Sequence, residues 1–370
     1  MNIVRYLYID DDELQLSKSK VRGFEEAGKL EILVENNKVD WNQQVARLKT
    51  VDFNGLILDL KLDERPVEDG CHSEFRGTSL SQQIRDLQKD GTIPAFPILL
   101  YSGEDKIKSS LDDTARDLFD LCIEKRNIDT RTMLSLPIRL IELSQLYELL
   151  NQKRDVRALL QAPEQVDERF MGALENFQQN SSIAVCVHFL LNEFVLTTGL
   201  LVNEVLLAAR LGVDIEKTPE EIWKAIVSIF EEARYRGILG NGWKRWWMRG
   251  INDLWRSLSG GKYLQMMTAT DRVTVLKEIL HTDAITPSEK LRYCESDKFW
   301  AVCYGTGKPI DPVDGFVIAG QESHYPWQDY RYVSKQAAFL KTNTERWKSV
   351  APAEKQRLEM LKQEYTSKQV

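Results

Sequence analysis

Acidic, hydroxyl and ammonium side chains stand at four places where a buried strand is predicted to end. Asp10 and Asp11 follow one apolar run, Asp59 follows a second, Ser102 a third and Lys125 a fourth. In an open sheet of parallel strands the ligand crevice lies outside the carboxyl ends of the strands. The sequence therefore predicts that these residues, although far apart in the chain, meet in one polar site.

The three carboxylates suit a divalent cation. Mg²⁺ prefers one or two carboxylates together with water and phosphate oxygens, which Asp10, Asp11 and Asp59 can provide. A bound cation would offset the repulsion among them and leave Asp59 to attack a phosphoryl group, while Ser102 and Lys125 contact the phosphoryl oxygens. The alternative is that Asp10 and Asp11 only cap a helix and Asp59 only ends a strand.

The elements that must position these residues alternate between strand and helix. Nearly continuous apolar runs, typical of buried parallel strands, predict strands at 3–9, 31–35, 55–60, 96–101 and 121–123. Helical periodicity predicts helices at 13–27, 41–49, 79–88 and 111–119. This alternation predicts an α/β fold with a parallel sheet covered on both faces.

Beyond the last predicted strand the chain becomes mainly helical. A helical run beginning at Pro137 carries apolar residues at steps of three and four, which favours packing on the sheet over pairing with a partner helix. Residues 185–209 are predicted to form one central helix. We predict a first domain at 1–150, a mainly α-helical domain at 151–335 and a helical tail at 336–370.

The composition is that of a folded protein in water. A chain of 370 residues exceeds the usual size of one core, and 43% hydrophobic and 28% charged residues leave little room for long disorder. A net charge of −7 argues against a protein whose main task is to coat nucleic acid. The sequence has neither a secretory signal nor a run of membrane-spanning length, so we expect a cytoplasmic protein.

Tryptophans and basic residues are interleaved in the segment 243–250, with Trp255 shortly after it. Such a pattern can stack bases and contact phosphates. The favoured interpretation is structural: Trp243, Trp247 and Trp255 share one buried helical face while Lys244 and Arg245 point outward.

Four stretches resemble the signature stretches of response-regulator receiver domains, namely Tyr8–Asp12, Leu56–Asp59, Ile98–Gly103 and Leu121–Lys125. The resemblance covers residues 1–150. It implies a flavodoxin-like sheet of five strands in the order 2-1-3-4-5, with Mg²⁺ as cofactor and a histidine kinase as partner. It also implies that Asp59 is the phosphoacceptor, that Ser102 and Lys125 assist it, and that the backbone carbonyl of Lys61 is a further metal ligand.

The sequence departs from the receiver pattern near the site. The loop at 62–76 is enlarged, Cys122 stands where receivers carry a switch aromatic, and Arg126 stands where they carry proline. Phosphorylation chemistry is expected to survive while the switching mechanism differs. Lys61 and Glu104 occupy positions that border the path of hydrolytic water in receivers, so we expect their charges to pair and to slow dephosphorylation, unless both are simply solvated.

Three roles stay open for the helical part: binding a partner or forming a homodimer, acting as an enzyme switched by phosphorylation, or binding DNA. The sequence shows neither a clear helix-turn-helix nor a recognisable catalytic motif, so enzymatic activity beyond phosphorylation at Asp59 stays uncertain. In overall organisation the chain is similar to the buffering regulator of Detocs-type antiphage phosphorelays. That similarity implies a receiver that drains phosphoryl groups from a kinase and needs no output of its own.

Overall fold

The computed structural model describes residues 3–67, 70–103, 107, 113–125, 130–164 and 166–367. The chain forms two compact units. The first contains Met1–Glu193 and Arg236–Trp243, and the second contains Phe194–Tyr235 and Lys244–Val370. The first unit thus continues beyond residue 150, and independent folding of residues 1–150 stays a prediction.

The first unit is built on a parallel sheet. Its strands are β1 (Val4–Asp10), β2 (Leu30–Asn36), β3 (Gly55–Leu58), β4 (Ile98–Ser102) and β5 (Leu121–Glu124). The helices among and after them are α1 (Leu14–Val21), α2 (Trp41–Leu48), α3 (Gly77–Lys89), α4 (Asp113–Arg116) and α5 (Thr130–Gln152). The strand order is β2-β1-β3-β4-β5, with every neighbouring pair parallel. The predicted doubly wound α/β fold of order 2-1-3-4-5 is confirmed.

Both faces of this sheet are covered. Successive strand residues point to opposite faces, so neighbouring residues of β1 pack in different apolar clusters. Leu7 and Ile9 of β1 pack in one apolar cluster with side chains of α2 and α3. Tyr6 and Tyr8 of the same strand pack in the other cluster, with side chains of α1 and α5. This two-sided burial explains why the strands read as continuous apolar runs.

Helix α5 packs on the sheet, as its apolar stripe predicts. Leu136 and Leu140 are buried in the cluster that contains Tyr6, and the Tyr6 hydroxyl donates a 2.8 Å hydrogen bond to the Leu140 carbonyl. The predicted start at Pro137 is wrong, because the helix already begins at Thr130 and Pro137 lies inside it.

Short helices complete the first unit: α6 (Val156–Leu159), α7 (Glu168–Asn180) and α8 (Ile183–His188). The returning segment Arg236–Trp243 is held by Glu142 of α5. Its carboxylate accepts hydrogen bonds from the backbone N–H of Gly242 at 2.6 Å and from the side-chain amide of Asn241 at 2.8 Å. Residues far beyond the sheet in sequence therefore belong to the first unit.

The second unit is mainly helical, with short two-stranded pairings. Its helices are α9 (Glu204–Leu211), α10 (Glu220–Ile229), α11 (Met248–Leu258), α12 (Ala269–Leu280), α13 (Lys335–Leu340), α14 (Thr344–Trp347) and α15 (Lys355–Ser367). Its strands are β6 (Leu201–Val202), β7 (Trp246–Trp247), β8 (Ala301–Val302), β9 (Pro309–Ile310), β10 (Gly315–Val317) and β11 (Tyr332–Ser334). Among the described helices of the chain, none has the length and apolarity needed to cross a membrane.

The prediction of one helix over 185–209 is wrong. A π-helix at Phe189–Val195 follows α8, the backbone then leaves the helical conformation, and α9 begins a new helix. Gly199 has a φ of 144°, and a Cβ there would lie 2.1 Å from the carbonyl oxygen of Trp327. Asn203 starts α9 by accepting a 2.8 Å hydrogen bond from the Leu206 N–H.

The tryptophan segment is buried, but it does not form one helical face. Trp243, Trp246, Trp247 and Trp255 are all buried. Trp246 and Trp247 form β7, which pairs with β6, and only Trp255 lies on a helix, α11. The predicted burial is confirmed and the predicted shared helix is wrong, because the strand pairing interrupts the helical period.

Candidate functional site

The polar residues predicted to meet do lie at one edge of the sheet. Asp10 ends β1 and Ser102 ends β4, while Asp59 and Lys125 each follow a strand directly. The backbone N–H of Asp59 donates to the carbonyl of Ile9 at 3.1 Å, and that of Lys125 donates to the carbonyl of Ser102 at 2.9 Å. Hydrogen bonding between parallel strands thus continues up to the site and fixes the backbone beneath it.

Three carboxylates form the centre of the site. One oxygen each from Asp10, Asp11 and Asp59 lies within 4.8 Å of the others, and Asp10 and Asp59 are buried. Ligand oxygens around Mg²⁺ lie about 2 Å from the ion, so opposite ligands are roughly 4 Å apart. The spacing and chemistry of these oxygens fit a small, hard divalent cation.

Two lysines neutralise part of this negative charge. Lys125 Nζ lies 2.7 Å from Asp59 Oδ1 and 3.8 Å from Asp10 Oδ2, and Lys20 Nζ lies 2.7 Å from Asp10 Oδ2. The Tyr8 hydroxyl also donates to Asp10. Burial alone would raise the pKa of Asp10, but Lys125, Lys20 and Tyr8 together lower that pKa to about 2. Asp10 is therefore held as a carboxylate at neutral pH.

The enlarged loop contacts Asp11. The backbone N–H groups of Glu64 and Arg65 donate to Asp11 Oδ2 at 3.0 and 2.8 Å, and Arg65 Nη1 lies 2.7 Å from Asp12 Oδ1. Burial raises the pKa of Asp11, and the neighbouring carboxylates of Asp10 and Asp59 add to the rise. The loop hydrogen bonds oppose that rise, because they stabilise the charged form.

The Ser102 hydroxyl has no hydrogen-bond partner among the residues that the structure describes. The residue is fully buried. A buried hydroxyl without a partner costs about 1–3 kcal/mol, and such atoms are rare in folded proteins. An acceptor that arrives with a ligand, such as a phosphoryl oxygen, would satisfy it.

The backbone at Asp59 leaves no room for a side chain at position 77, which is a glycine. A Cβ at Gly77 would lie 2.2 Å from the carbonyl oxygen of Asp59, and the Gly77 N–H donates a 3.0 Å hydrogen bond to the Leu60 carbonyl. The start of α3 therefore packs directly against the chain that leaves β3.

No protein-family profile and no curated protein matches the chain. Among solved structures, the adenylate cyclase from Rhodopirellula baltica is 14% identical, with a TM-score of 0.29 over 42% of this chain and 98% of that chain. The signal receiver domain of the response regulator NarL from Mycobacterium tuberculosis is 15% identical, with a TM-score of 0.27 over 39% and 98%. The isolated REC domain of RcsB from Salmonella enterica serovar Typhimurium is 15% identical, with a TM-score of 0.27 over 39% and 90%. With TM-scores below 0.5, these likenesses carry no argument about the fold or the function of this chain.

By its strand order the first unit has a flavodoxin-like fold. This order is one of the two common doubly wound arrangements, in which ligands bind outside the carboxyl ends of the strands. The residues named from the sequence as phosphoacceptor, metal ligands and phosphoryl contacts occupy that edge of the sheet. Their functional roles stay predictions.

Several residues around the site carry no mark in the sequence. Lys20 lies on α1, where nothing local indicates that it is a partner of Asp10. Arg65 and Glu64 lie on the enlarged loop, and the length of that loop does not indicate which residues it contacts. Tyr8 had a usable signal, because residues two apart on a strand share a face and Asp10 follows at that spacing.

The remaining predictions near the site have mixed outcomes. Lys61 Nζ lies 2.6 Å from Glu64 Oε1, and the Lys61 N–H donates to Asp59 Oδ2 at 3.2 Å. Glu104 and Arg126 lie outside the described residues, so the Lys61–Glu104 pairing stays a prediction. Cys122 is exposed on β5, and its correspondence to the switch aromatic of receivers stays a prediction.

Proposed function

We propose that the first unit accepts a phosphoryl group on Asp59 from a phosphohistidine of a partner histidine kinase. The observation that carries the proposal is the combination of three clustered carboxylates, a lysine paired with one of them and a buried hydroxyl that has no hydrogen-bond partner in the described part of the chain. A site with only a structural role would be expected to satisfy the Ser102 hydroxyl within the protein.

Each side chain has a separable task. A carboxylate oxygen of Asp59 attacks phosphorus, so a P–O bond forms while the P–N bond to the donor histidine breaks and its electron pair returns to the imidazole. Lys125 neutralises charge on a phosphoryl oxygen, and Ser102 donates a hydrogen bond to another. Asp10, Asp11, Asp59 and the carbonyl of Lys61 would hold Mg²⁺, which when bound neutralises charge on the transferred group.

For the biological role we propose a phosphate sink in an antiviral defence phosphorelay located in the cytoplasm. The support is sequence organisation alone: a phosphoacceptor unit joined to a helical unit without a recognisable catalytic motif. The competing proposal is an effector whose helical unit, as an enzyme, a nucleic-acid-binding module or a dimerising unit, is switched by phosphorylation. Comparing the isolated wild-type and Asp59→Asn proteins for any activity of the second unit separates the two.

The decisive experiment incubates the full chain with acetyl phosphate and Mg²⁺ and locates added phosphate by mass spectrometry. We expect one acid-stable but base-labile phosphoryl group on Asp59, absent when the metal is chelated and absent from Asp59→Asn. Asp52→Asn is the matched control, because Asp52 is 90% exposed and its ion pair is with Arg5 at the surface. An unmodified Asp59, or equal labelling of the Asp59→Asn chain, would refute the proposal.

A further inference from the structure

The second unit contains a cavity of about 740 Å³ that the phosphoacceptor chemistry does not use. It lies beside the start of α9, the strand β8 and the segment 328–332. Small-molecule sites in proteins are typically cavities of roughly 300–1,000 Å³ with an apolar lining and a few fixed polar groups. The size alone therefore admits a ligand as large as a nucleotide.

One wall of the cavity is a buried, rigidly held guanidinium. Arg210 is 2% exposed, its Nη2 lies 2.7 Å from Asp329 Oδ2, and its Nε donates to the Trp300 carbonyl at 3.1 Å. The guanidinium also lies over the Trp300 ring, 4.4 Å from its centre. Its Nη1 makes no hydrogen bond to any described residue. Because burying a charge is costly, this arrangement presents a preset donor to whatever enters the cavity.

Aromatic rings line the same space and remain partly open. Tyr304 is 41% exposed and Tyr330 is 48% exposed, although both border the cavity. Tyr330 is stacked on His324 with 4.0 Å between ring centres, which fixes the plane of a ring that borders the cavity. Rings held in this way offer stacking surfaces that suit any base.

The charge of the lining favours an anion. The charged side chains that border the cavity are Arg210, Arg331, Arg346 and Asp329, so three positive charges face one negative charge that is already paired with Arg210. Arg331 lies over the Tyr304 ring at 5.8 Å. The exposed side chain of Arg346 makes no hydrogen bond or ion pair with any described residue, so it is available to a phosphate.

We propose that this cavity binds a nucleoside monophosphate, with the base stacked on the exposed tyrosines and the phosphate paired with Arg346 and Arg331. A flat ring joined to a phosphate matches both halves of the lining at once. Inorganic phosphate would use only the arginines, and a nucleoside only the rings. The proposal is independent of phosphorylation at Asp59.

The test is calorimetric titration of the full chain with one ligand at a time: AMP, GMP, CMP and UMP, the nucleoside that corresponds to each, and inorganic phosphate. We expect at least one nucleotide to bind at least about 10-fold more tightly than its nucleoside or phosphate alone. Arg346→Gln and Tyr304→Ala change exposed side chains, so the fold should survive, and each should weaken that nucleotide by about 10-fold.

Arg256→Gln is the matched control. Arg256 is an exposed arginine of the same unit that lies over the Tyr263 ring at 5.1 Å but does not border the cavity. We expect the Arg256→Gln and Asp59→Asn variants to bind the nucleotide with the wild-type affinity. Failure of all four nucleotides to bind would overturn the proposal, and so would binding that Arg346→Gln and Tyr304→Ala leave unchanged. Phosphate binding as tightly as every nucleotide would overturn the assignment of the rings.

Discussion

The backbone N–H of Arg65 donates a 2.8 Å hydrogen bond to Oδ2 of Asp11, one of the three clustered carboxylates. The Arg65 side chain adds a second link through its ion pair with Asp12. The enlarged loop therefore places a positive charge beside the proposed magnesium site. This charge weakens the electrostatic attraction between the carboxylates and the cation.

Replacing Arg65 by alanine is expected to tighten Mg²⁺ binding by up to about five-fold. The side chain is about half exposed, and exposed ion pairs are worth about 0–1 kcal/mol, which sets the scale of the effect. Calorimetric titration of the metal-free chain measures it. Arg76→Ala is the control, since Arg76 pairs instead with Asp63 at 3.0 Å. Weaker Mg²⁺ binding by Arg65→Ala would contradict this electrostatic account.

Removing the Ser102 hydroxyl is expected to slow phosphorylation without lowering the free energy of unfolding. In Ser102→Ala an unsatisfied buried atom is lost, so the free energy of unfolding should stay equal or rise by about 1 kcal/mol, while phosphorylation of Asp59 slows roughly 10-fold. Ser81 is equally buried, but its Oγ donates a 2.8 Å hydrogen bond to the Gly77 carbonyl. Ser81→Ala should therefore lose about 1 kcal/mol and keep its phosphorylation rate. Equal destabilisation of both variants would count against a ligand role for Ser102.

Lys125→Ala is expected to slow phosphorylation by roughly 10- to 100-fold, the effect of losing one charge-assisted hydrogen bond. Mg²⁺ should bind more tightly to the same variant, because a cation 2.7 Å from Asp59 has been removed. Measuring both the phosphorylation rate and the Mg²⁺ affinity of Lys125→Ala tests whether the two change in opposite directions. Lys29→Ala removes an exposed ion pair with Glu26 and should change neither quantity. A faster rate in Lys125→Ala would show that the lysine only balances charge.

Gly77→Ala is expected to lower the free energy of unfolding by about 1–3 kcal/mol, because the new Cβ would overlap the Asp59 carbonyl. The displaced backbone should also reduce phosphorylation of Asp59. Gly172→Ala provides the contrast, since a Cβ at that position of α7 meets no atom within 4 Å. Better helix propensity should then stabilise Gly172→Ala by up to about 1 kcal/mol. Denaturant unfolding of both variants measures the difference.

Acid should destabilise the first unit through Asp120. Its carboxylate is fully buried, and it accepts 2.8 Å hydrogen bonds from Arg85 and Tyr147. Burial alone would raise the pKa of Asp120, but Arg85, His188 and the backbone N–H of Ile98 together outweigh burial and hold that pKa well below its usual range. A lowered pKa stabilises the fold above the unfolded value of about 3.9, and this contribution is lost as pH falls below it.

The variant that isolates this contribution is Asp120→Asn. At neutral pH it should lose about 3–5 kcal/mol, because Arg85 is left buried without its partner. The gap to wild type should stay constant above about pH 5 and narrow below about pH 4. Urea unfolding across this range measures the gap, and Asp52→Asn, at an exposed position, should show almost none. A gap that widens on acidification would contradict the assignment.

The five-stranded parallel sheet could be predicted because its strands are covered on both faces. Two-sided burial makes a strand such as Gly55–Leu58 a continuous apolar run, and the polar residue after the run marks where the strand leaves the core. The helical part carried no such marker. Residues 185–209 are apolar enough for one helix, yet the carbonyl of Trp327 approaches Gly199 so closely that the chain must turn there.

By itself the sequence determined which side chains stand at the ends of the strands, Asp10, Asp59, Ser102 and Lys125, because strand order along the chain and burial period are local properties. Only the tertiary structure decided which polar atoms already have hydrogen-bond partners. Ser102 Oγ has no partner among the described residues. In contrast, Asp11 accepts from N–H groups of the enlarged loop, and Arg210 is held by Asp329 and the Trp300 carbonyl. Such contacts arise when separate elements pack, and no local period encodes them.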